Sequence, residues 1–184
     1  TLYLNLEPCC HFGYNPPCTK AIIDAGIKKV VAAMEDPNPI VSGKGFEELR
    51  EAGIEVVSHV LEEEAKKINE VFIKFITTRR PFVIMKSAMS LDGKIATKTG
   101  DSFWITGVQA RRHAHYLRSI VDAVMVGIGT ILRDDPELTV RELEASEIKT
   151  IKNPLRIILD SKARIPLSSK VMNIEPSRTV IITT

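Results

Sequence analysis

Apolar and polar positions in the first part of the chain follow two periods, one typical of strands and one typical of helices. TLYLNL (1–6), KKVVAAM (28–34) and IEVVSHV (54–60) are strand-like. CTKAIIDAG (18–26) and GFEELREAG (45–53) predict short helices, each ended by a glycine. Because strands that alternate with short helices are typical of a layered sheet, this part of the chain predicts an α/β unit.

A longer helix is predicted for residues 61–80, which carry an apolar stripe with helical spacing. The acidic start and basic end of this segment suit the helix dipole. The sequence RRP (79–81) ends the helix, and we place a domain boundary there, which gives domains 1–78 and 79–184. The stripe consists of Ala65, Ile68, Val71, Phe72, Phe75 and Ile76.

The α/β pattern resumes after the boundary. FVIMKSAMSLDGKIA (82–96) predicts a buried strand that leads into a turn at Asp92 and Gly93. GVQARRHAHYLRSIVDA (107–123) predicts a helix, and AVMVGIGTIL (123–132) predicts a strand that runs into a glycine-rich turn. The remaining predictions are strands at LRIILD (155–160) and TVIITT (179–184) and a polar surface excursion at 141–153.

Composition and charge narrow the classes of partner. The chain has 184 residues, 44% of them hydrophobic, and a formal net charge of +2. Such a balance supplies no large positive field, so we expect no nucleic-acid partner, and the apolar runs are too short for a membrane span. A cytoplasmic protein is expected because the three cysteines form one tight cluster rather than a disulfide framework. The chain begins and ends inside strand-like patterns, so we expect an internal fragment of a longer protein.

The cysteine cluster, EPCCHFGYNPPC (7–18), is the strongest chemical signal in the sequence. Cys18 opens a predicted helix, where the dipole favours the thiolate form that binds metal. Two cysteines and a histidine would give zinc three protein ligands and an open position for water, which is a catalytic arrangement. Cys9, Cys10, His11 and Cys18 could equally form a closed structural site, or the cysteines could be buried without metal.

The cluster resembles the second zinc motif of the cytidine-deaminase-like superfamily, in which a glutamate of an H-x-E motif moves the proton. The wide spacing between EPCCHFG and PPC is similar to the deaminase half of the bifunctional deaminase–reductases of riboflavin biosynthesis. KSAMSLDGKIATKTGDSFWITG (86–107), LRSIVDAVMVGIGTILRDDPELTVR (117–141) and PLRIILDS (154–161) resemble the reductase half. The resemblance therefore covers nearly the whole chain, and the motifs occur in the same order as in the family.

For the first domain, the resemblance implies a three-layer, cytidine-deaminase-like fold, incomplete here, with Cys9 and Cys18 as zinc ligands. His11 is implied as a contact of a phosphorylated substrate, while Tyr14 stands where relatives carry Lys or Arg. The third zinc ligand and the catalytic glutamate should lie upstream of Thr1, so the catalytic residue is unknown in this chain. We therefore expect the fragment alone to be inactive.

For the second domain, the resemblance implies an incomplete dihydrofolate-reductase-like α/β fold that binds NADPH and reduces the ribose of the deaminated pyrimidine. The glycine-rich segment that wraps the cofactor phosphates should follow Thr184. The implied cofactor contacts are Ala88, Trp104, Thr130, Asp134 and Ser161. The implied substrate contacts are Lys86, Ser102, Arg118, Leu138 and Arg141.

Two other interpretations compete with this one. The first is a cytidine or nucleobase deaminase with an unrelated tail, against which the motifs of the second domain argue. The second is a non-catalytic scaffold stapled by zinc, which predicts four protein ligands and no exchangeable water. The leading interpretation implies a homo-oligomeric enzyme that acts on a small pyrimidine ribosyl phosphate, with zinc and NADPH as cofactors.

Overall fold

The computed structural model describes residues 1–143 and 152–184, so most of the predicted surface excursion at 141–153 lies outside the described residues. The chain divides into two compact units, Thr1–Met85 and Lys86–Thr184. The division falls a few residues after the predicted boundary at residue 79. Among the described residues, no helix is long and apolar enough to cross a membrane.

The first unit is built on a three-stranded parallel sheet in the order β1-β2-β3. Val30 lies in the middle strand, is fully buried, and pairs with Leu2 on one side and Val56 on the other. Two helices cover one face, where Ile22 and Leu49 pack with Val30 in the core of the unit. The predicted strands and helices of residues 1–60 are thus confirmed. The elements are β1 (Leu2–Leu4), α1 (Cys18–Asp24), β2 (Lys29–Ala32), α2 (Lys44–Glu51) and β3 (Glu55–Val57).

The single helix predicted for residues 61–80 is wrong, because two helices occupy the segment. These are α3 (Glu62–Ile68) and α4 (Glu70–Thr78), separated at Asn69. The Asn69 side chain donates a hydrogen bond to the carbonyl of Ala65, and such a local bond competes with helix continuation. Of the predicted stripe only Ala65 is buried, while Ile68 is 73% exposed. The segment does end at the predicted place, since Arg79 adopts a left-handed conformation after Thr78.

The second unit contains another parallel sheet, in the order β4-β5-β6. Its core joins Ile158 of the central strand to Ile128, Leu138 and Val171 from the connecting segments. The helix predicted after Gly107 and the three later strands are confirmed. The elements are α5 (Val108–Ile120), β4 (Ala123–Gly127), α6 (Ile128–Asp134), β5 (Leu155–Leu159), α7 (Lys170–Asn173), a 3-10 turn (Pro176–Arg178) and β6 (Thr179–Ile182).

The buried strand predicted for FVIMKSAM (82–89) is wrong. This segment is irregular, and it exposes Val83 by 80% and Met85 by 91%. An apolar extended segment becomes a strand only where a neighbouring strand pairs with its backbone, and neither described sheet includes it. The turn predicted after it is present, with Gly93 at a positive φ of 79°. Lys86 consequently lies in an exposed irregular segment and not at the end of a strand.

Candidate functional site

The cysteine cluster lies in the loop that connects the carboxyl end of β1 to the start of α1, and we call this loop the cysteine loop. Cys18 is the first residue of that helix, as predicted, and its backbone N–H donates to the Cys9 Sγ at 3.4 Å. The two sulfur-bearing residues therefore lie side by side. The pKa of the Cys18 thiol is raised, first by its hydrogen bond with Cys9 and then by burial. The Cys9 thiol thus disfavours the thiolate form of Cys18, and a cation bound between them would act in the opposite direction.

Glu7 holds this loop against α2. Its carboxylate is 3% exposed and accepts four backbone hydrogen bonds. Oε2 accepts from the N–H groups of Asp36 (3.0 Å) and Gly43 (2.9 Å), and Oε1 accepts from those of Gly45 (2.8 Å) and Phe46 (3.2 Å). Three of these donors belong to the start of α2, so Glu7 supplies that helix with the acceptors its own sequence lacks.

Gly45 shows how closely the two segments meet. A Cβ on Gly45 would lie 2.1 Å from the carbonyl oxygen of Pro8, a contact that no side chain can make. The absence of a Cβ at this position is what lets α2 approach the backbone that precedes Cys9. The cysteine loop is therefore fixed by a buried carboxylate and by a close backbone contact.

The residues present supply part of a metal site. Cys9 and Cys18 are close enough to share one ion, but no group of three or more His, Cys, Asp or Glu within residues 1–143 and 152–184 could hold a metal. Cys10 and His11 thus do not complete a four-ligand site with them. His11 carries a buried Nδ1 without a hydrogen-bond partner, and Tyr14 is fully exposed. The donor set fits two of the three protein ligands of an open zinc site.

In the second unit, several of the implied cofactor contacts lie at one edge of the sheet. Gly127 ends β4 and pairs with Leu159, near the end of β5, so the carboxyl ends of these parallel strands are aligned. Thr130 and Asp134 follow on α6, and Ser161 follows β5. In open α/β sheets ligands bind outside the carboxyl ends of the strands, which makes this edge the candidate ligand site.

The loop before α5 carries the aromatic members of the site. Trp104 is 68% exposed, and the guanidinium of Arg111 lies 4.3 Å from its ring centroid. Arg111 also donates to the carbonyl of Thr106 at 2.9 Å, which fixes the guanidinium over the ring. The side chain of Arg133, on α6, donates a hydrogen bond to the carbonyl of Gly100 and so holds this loop against the edge of the sheet. Ser102 and Ala88 lie half-buried in the same irregular region, residues 86–107.

Arg118 and Arg141, implied as substrate contacts, come together around Thr139. Arg118 Nη1 donates to the Thr139 carbonyl at 2.7 Å, and Arg141 Nη1 donates to the Thr139 Oγ1 at 3.2 Å. Glu137 pairs with Arg141, whereas no carboxylate among the described residues pairs with Arg118. Burial, and then the charge of Arg141, lower the pKa of Arg118. An anion placed here would relieve the repulsion between two like charges.

Leu138 has a different position from the two arginines. Its side chain is 6% exposed and packs in the core with Ile128, Ile131, Ile158 and Val171, and its φ is 54°. Only the backbone of Leu138 can therefore meet a ligand, and the buried side chain anchors the segment that carries Arg141.

Three residues of this region were not predicted from the sequence as site residues. His115 is buried between Arg118 and the backbone of Arg141, and Arg111 covers Trp104. Thr139 joins the two arginines. His115 and Arg111 occur in ARRHAHYLR (110–118), and their spacing along α5 from Arg118 is the only signal that the sequence offers.

The fold and the site define an α/β protein with a pair of arginines joined at Thr139, in a segment that contacts the amino end of β5, and with the implied cofactor contacts Thr130 and Ser161 after the carboxyl ends of β4 and β5. Residues 81–184 match the family described as the RibD C-terminal domain. The chain therefore belongs to this family.

Curated relatives cover both units. The chain is 55% identical over 183 residues to the riboflavin biosynthesis protein RibD of Aquifex aeolicus, covering all of this chain and 50% of that protein. It is 47% identical over 184 residues to RibD of Actinobacillus pleuropneumoniae, covering all of this chain and 47% of that protein. The chain thus spans about half the length of the curated relatives it matches.

Solved structures have the same fold. One is a diaminohydroxyphosphoribosylaminopyrimidine deaminase/5-amino-6-(5-phosphoribosylamino)uracil reductase of Thermotoga maritima, with a TM-score of 0.84 and 49% identity over 97% of this chain and 49% of that one. Another is RibD of Acinetobacter baumannii, with a TM-score of 0.86 and 44% identity over 97% of this chain and 50% of that one. The resemblance seen in the sequence motifs is confirmed.

Proposed function

We propose that the second unit is the N-terminal part of a reductase of riboflavin biosynthesis. This enzyme reduces the ribose of a pyrimidine ribosyl phosphate, with NADPH as the hydride donor. The observation that carries the proposal is the pair Arg118 and Arg141, joined at Thr139, with no carboxylate on Arg118 among the described residues. A half-buried guanidinium of this kind is suited to a phosphate dianion, to which it can donate two parallel hydrogen bonds.

The proposed roles follow the resemblance to the reductase family. Arg118 and Arg141 bind the phosphate, and the Leu138 backbone and Ser102 contact the rest of the substrate. Trp104 offers a flat apolar wall whose orientation Arg111 fixes. Thr130, Asp134, Ser161 and Ala88 hold the cofactor. When bound, NADPH supplies the hydride for the ribose C1′. Lys86, which lies in an exposed irregular segment, is proposed as a further contact of the substrate.

We propose that residues 1–78 belong to a cytidine-deaminase-like domain of the same enzyme, which removes an amino group from the pyrimidine. Cys9 and Cys18 would be two of its zinc ligands, with His11 close to the substrate. Zinc in such a domain supplies the activation of water. The side-by-side thiols and the loop held by Glu7 support this assignment. The enzyme would act as a cytoplasmic homo-oligomer on a small-molecule substrate.

The reductase proposal is tested by incubating the intact protein with NADPH and 5-amino-6-(5-phosphoribosylamino)uracil, the substrate class named for the Thermotoga protein. We expect NADPH oxidation that depends on this substrate and persists after zinc is removed with a chelator. The same assay with the dephosphorylated riboside is the control, and it should require a much higher concentration. Substrate-independent oxidation, or none at all, would contradict the proposal.

The zinc assignment predicts unequal effects of the three cysteines. Cys9→Ser and Cys18→Ser are expected to lose bound zinc, because an open site with three protein ligands holds the ion poorly with two. Cys10→Ser is the matched control and should retain zinc at the wild-type stoichiometry. Metal analysis of the intact purified variants decides the question. Equal loss of zinc in all three variants would favour a closed structural site and with it the scaffold interpretation.

A further inference from the structure

His115 occupies an unusual place between the two arginines of the proposed phosphate site. It lies on α5, one turn before Arg118, and is 7% exposed. Its Nδ1 accepts a hydrogen bond from the backbone N–H of Arg141 at 3.1 Å, and Arg118 Nη1 lies 3.4 Å from the same atom. Nδ1 is therefore contacted both by Arg118 of α5 and by Arg141, which follows α6.

The two donors define the chemical state of the ring. A backbone N–H and a guanidinium can only donate, so Nδ1 must carry its lone pair, and the neutral ring carries its proton on Nε2. The surroundings favour this neutral form. Burial, and then the charge of Arg118, lower the pKa of His115, and Arg141 acts in the same direction. Glu142 and a backbone hydrogen bond with Thr139 oppose the shift without reversing it.

The shared acceptor brings together two cationic residues that repel each other. Arg118 is carried by α5 and Arg141 by the segment after Leu138, so neither element alone determines their separation. Nδ1 links the Arg118 guanidinium to the Arg141 backbone, and the two guanidinium groups meet at Thr139, that of Arg118 on the carbonyl and that of Arg141 on Oγ1. A cationic pair held in place before the ligand arrives binds a phosphate more tightly than one that must first be assembled.

We propose that His115 is a positioning residue for recognition of the substrate phosphate: its neutral ring, accepting through Nδ1, holds the Arg141 backbone and the Arg118 guanidinium in register for one phosphate group. This inference rests on the proposed function, in which these two arginines bind the phosphate. His115 acts through the arginines and does not itself touch the substrate.

The test compares two substitutions of similar size that differ in one acceptor. His115→Asn keeps an oxygen close to the position of Nδ1, whereas His115→Leu provides none. The probes are ribose 5-phosphate and ribose, whose binding to the intact protein is measured by calorimetry. We expect His115→Leu to weaken binding of ribose 5-phosphate about 10- to 100-fold, a range set by the loss of charge-assisted hydrogen bonds. His115→Asn should stay within about threefold of wild type.

Further readouts separate positioning from a general structural role. The affinities of both variants for NADPH and for ribose should stay at the wild-type value, and in the reductase assay KM should change more than kcat. Equal loss of ribose 5-phosphate binding in the Asn and Leu variants, or no loss in the Leu variant, would overturn the proposal. Arg118→Met is measured alongside. If it leaves ribose 5-phosphate binding unchanged, the anion site itself is wrong. If it abolishes binding while His115→Leu does not, only the role of His115 is wrong.

A measurement on the unsubstituted protein keeps the proposal testable even if His115→Leu does not fold. Nitrogen-15 NMR of the histidine ring reports which nitrogen carries the proton. We expect His115 to be neutral at pH 7 with its proton on Nε2, and its Nδ1 signal to shift when ribose 5-phosphate is added. A proton on Nδ1, or a charged ring at pH 7, would contradict the geometry on which the proposal depends.

Discussion

Glu7→Gln is expected to lower the free energy of unfolding of the first unit by about 3 kcal/mol, because it replaces a buried carboxylate by an amide. The carboxylate accepts four backbone N–H groups. An amide has one acceptor oxygen, and its NH₂ group would point at two of the same donors. Since a whole domain is stable by only about 5–15 kcal/mol, this single change should remove a large part of the stability.

Glu47→Gln is the matched control for Glu7→Gln. It makes the same chemical change in the first turn of α2 but on an exposed residue, so we expect an effect within about 0.5 kcal/mol. Urea unfolding followed by far-ultraviolet circular dichroism measures both variants. Trp104, the only tryptophan, lies in the second unit, and its fluorescence transition should be unchanged. Similar midpoints for Glu7→Gln and Glu47→Gln would show that the four backbone contacts do not stabilise the unit.

Arg118→Met is expected to raise the KM for the phosphorylated substrate about 100-fold, which corresponds to about 3 kcal/mol. The reason is that Arg118 faces Arg141 without a carboxylate of its own among the described residues, so the substrate supplies its counter-charge. The KM for NADPH should stay near the wild-type value. Steady-state kinetics of the reductase reaction on the intact protein measures both.

Two measurements on Arg118 variants distinguish an effect on substrate binding from an effect on folding. Arg118→Lys keeps the charge but loses the planar fork, so its KM should fall between those of wild type and Arg118→Met. The melting temperature of Arg118→Met should equal or exceed that of wild type, because the substitution removes a desolvated charge beside a like charge. A lower melting temperature with an unchanged KM would mean that Arg118 has a structural role instead.

The parts of the fold that could be predicted from the sequence are those in which the signal is local. The apolar runs around Val30 and Ile158 predict the central strand of each sheet, because a central strand buries alternate residues fully and the others in part. The cysteine loop was found because its chemistry lies within twelve consecutive residues, from Glu7 to Cys18.

The parts that could not be predicted depend on tertiary contacts. FVIMKSAM (82–89) has the pattern of a buried strand, but the pattern does not say whether a neighbouring strand exists. Asn69 interrupts the predicted helix because its side chain donates a hydrogen bond to the carbonyl of Ala65. The same limit applies to the site. The role of Glu7 depends on donors 29 to 39 positions away along the chain, and that of His115 on a partner 26 positions away.

The parallel pairing of both sheets also bears on how the chain reaches its fold. Within the described residues no two paired strands are joined by a hairpin, since each partner lies beyond a connection that contains a helix. Val30 must find Leu2 or Val56 before the first sheet gains a backbone bond, and Arg156 must find Val124 or Thr179 before the second does. Loop-closure entropy therefore opposes the first steps of assembly, and such topologies fold slowly for their length. Val83 and Met85 are open to other molecules during that time and remain so in the folded chain, where they are 80% and 91% exposed.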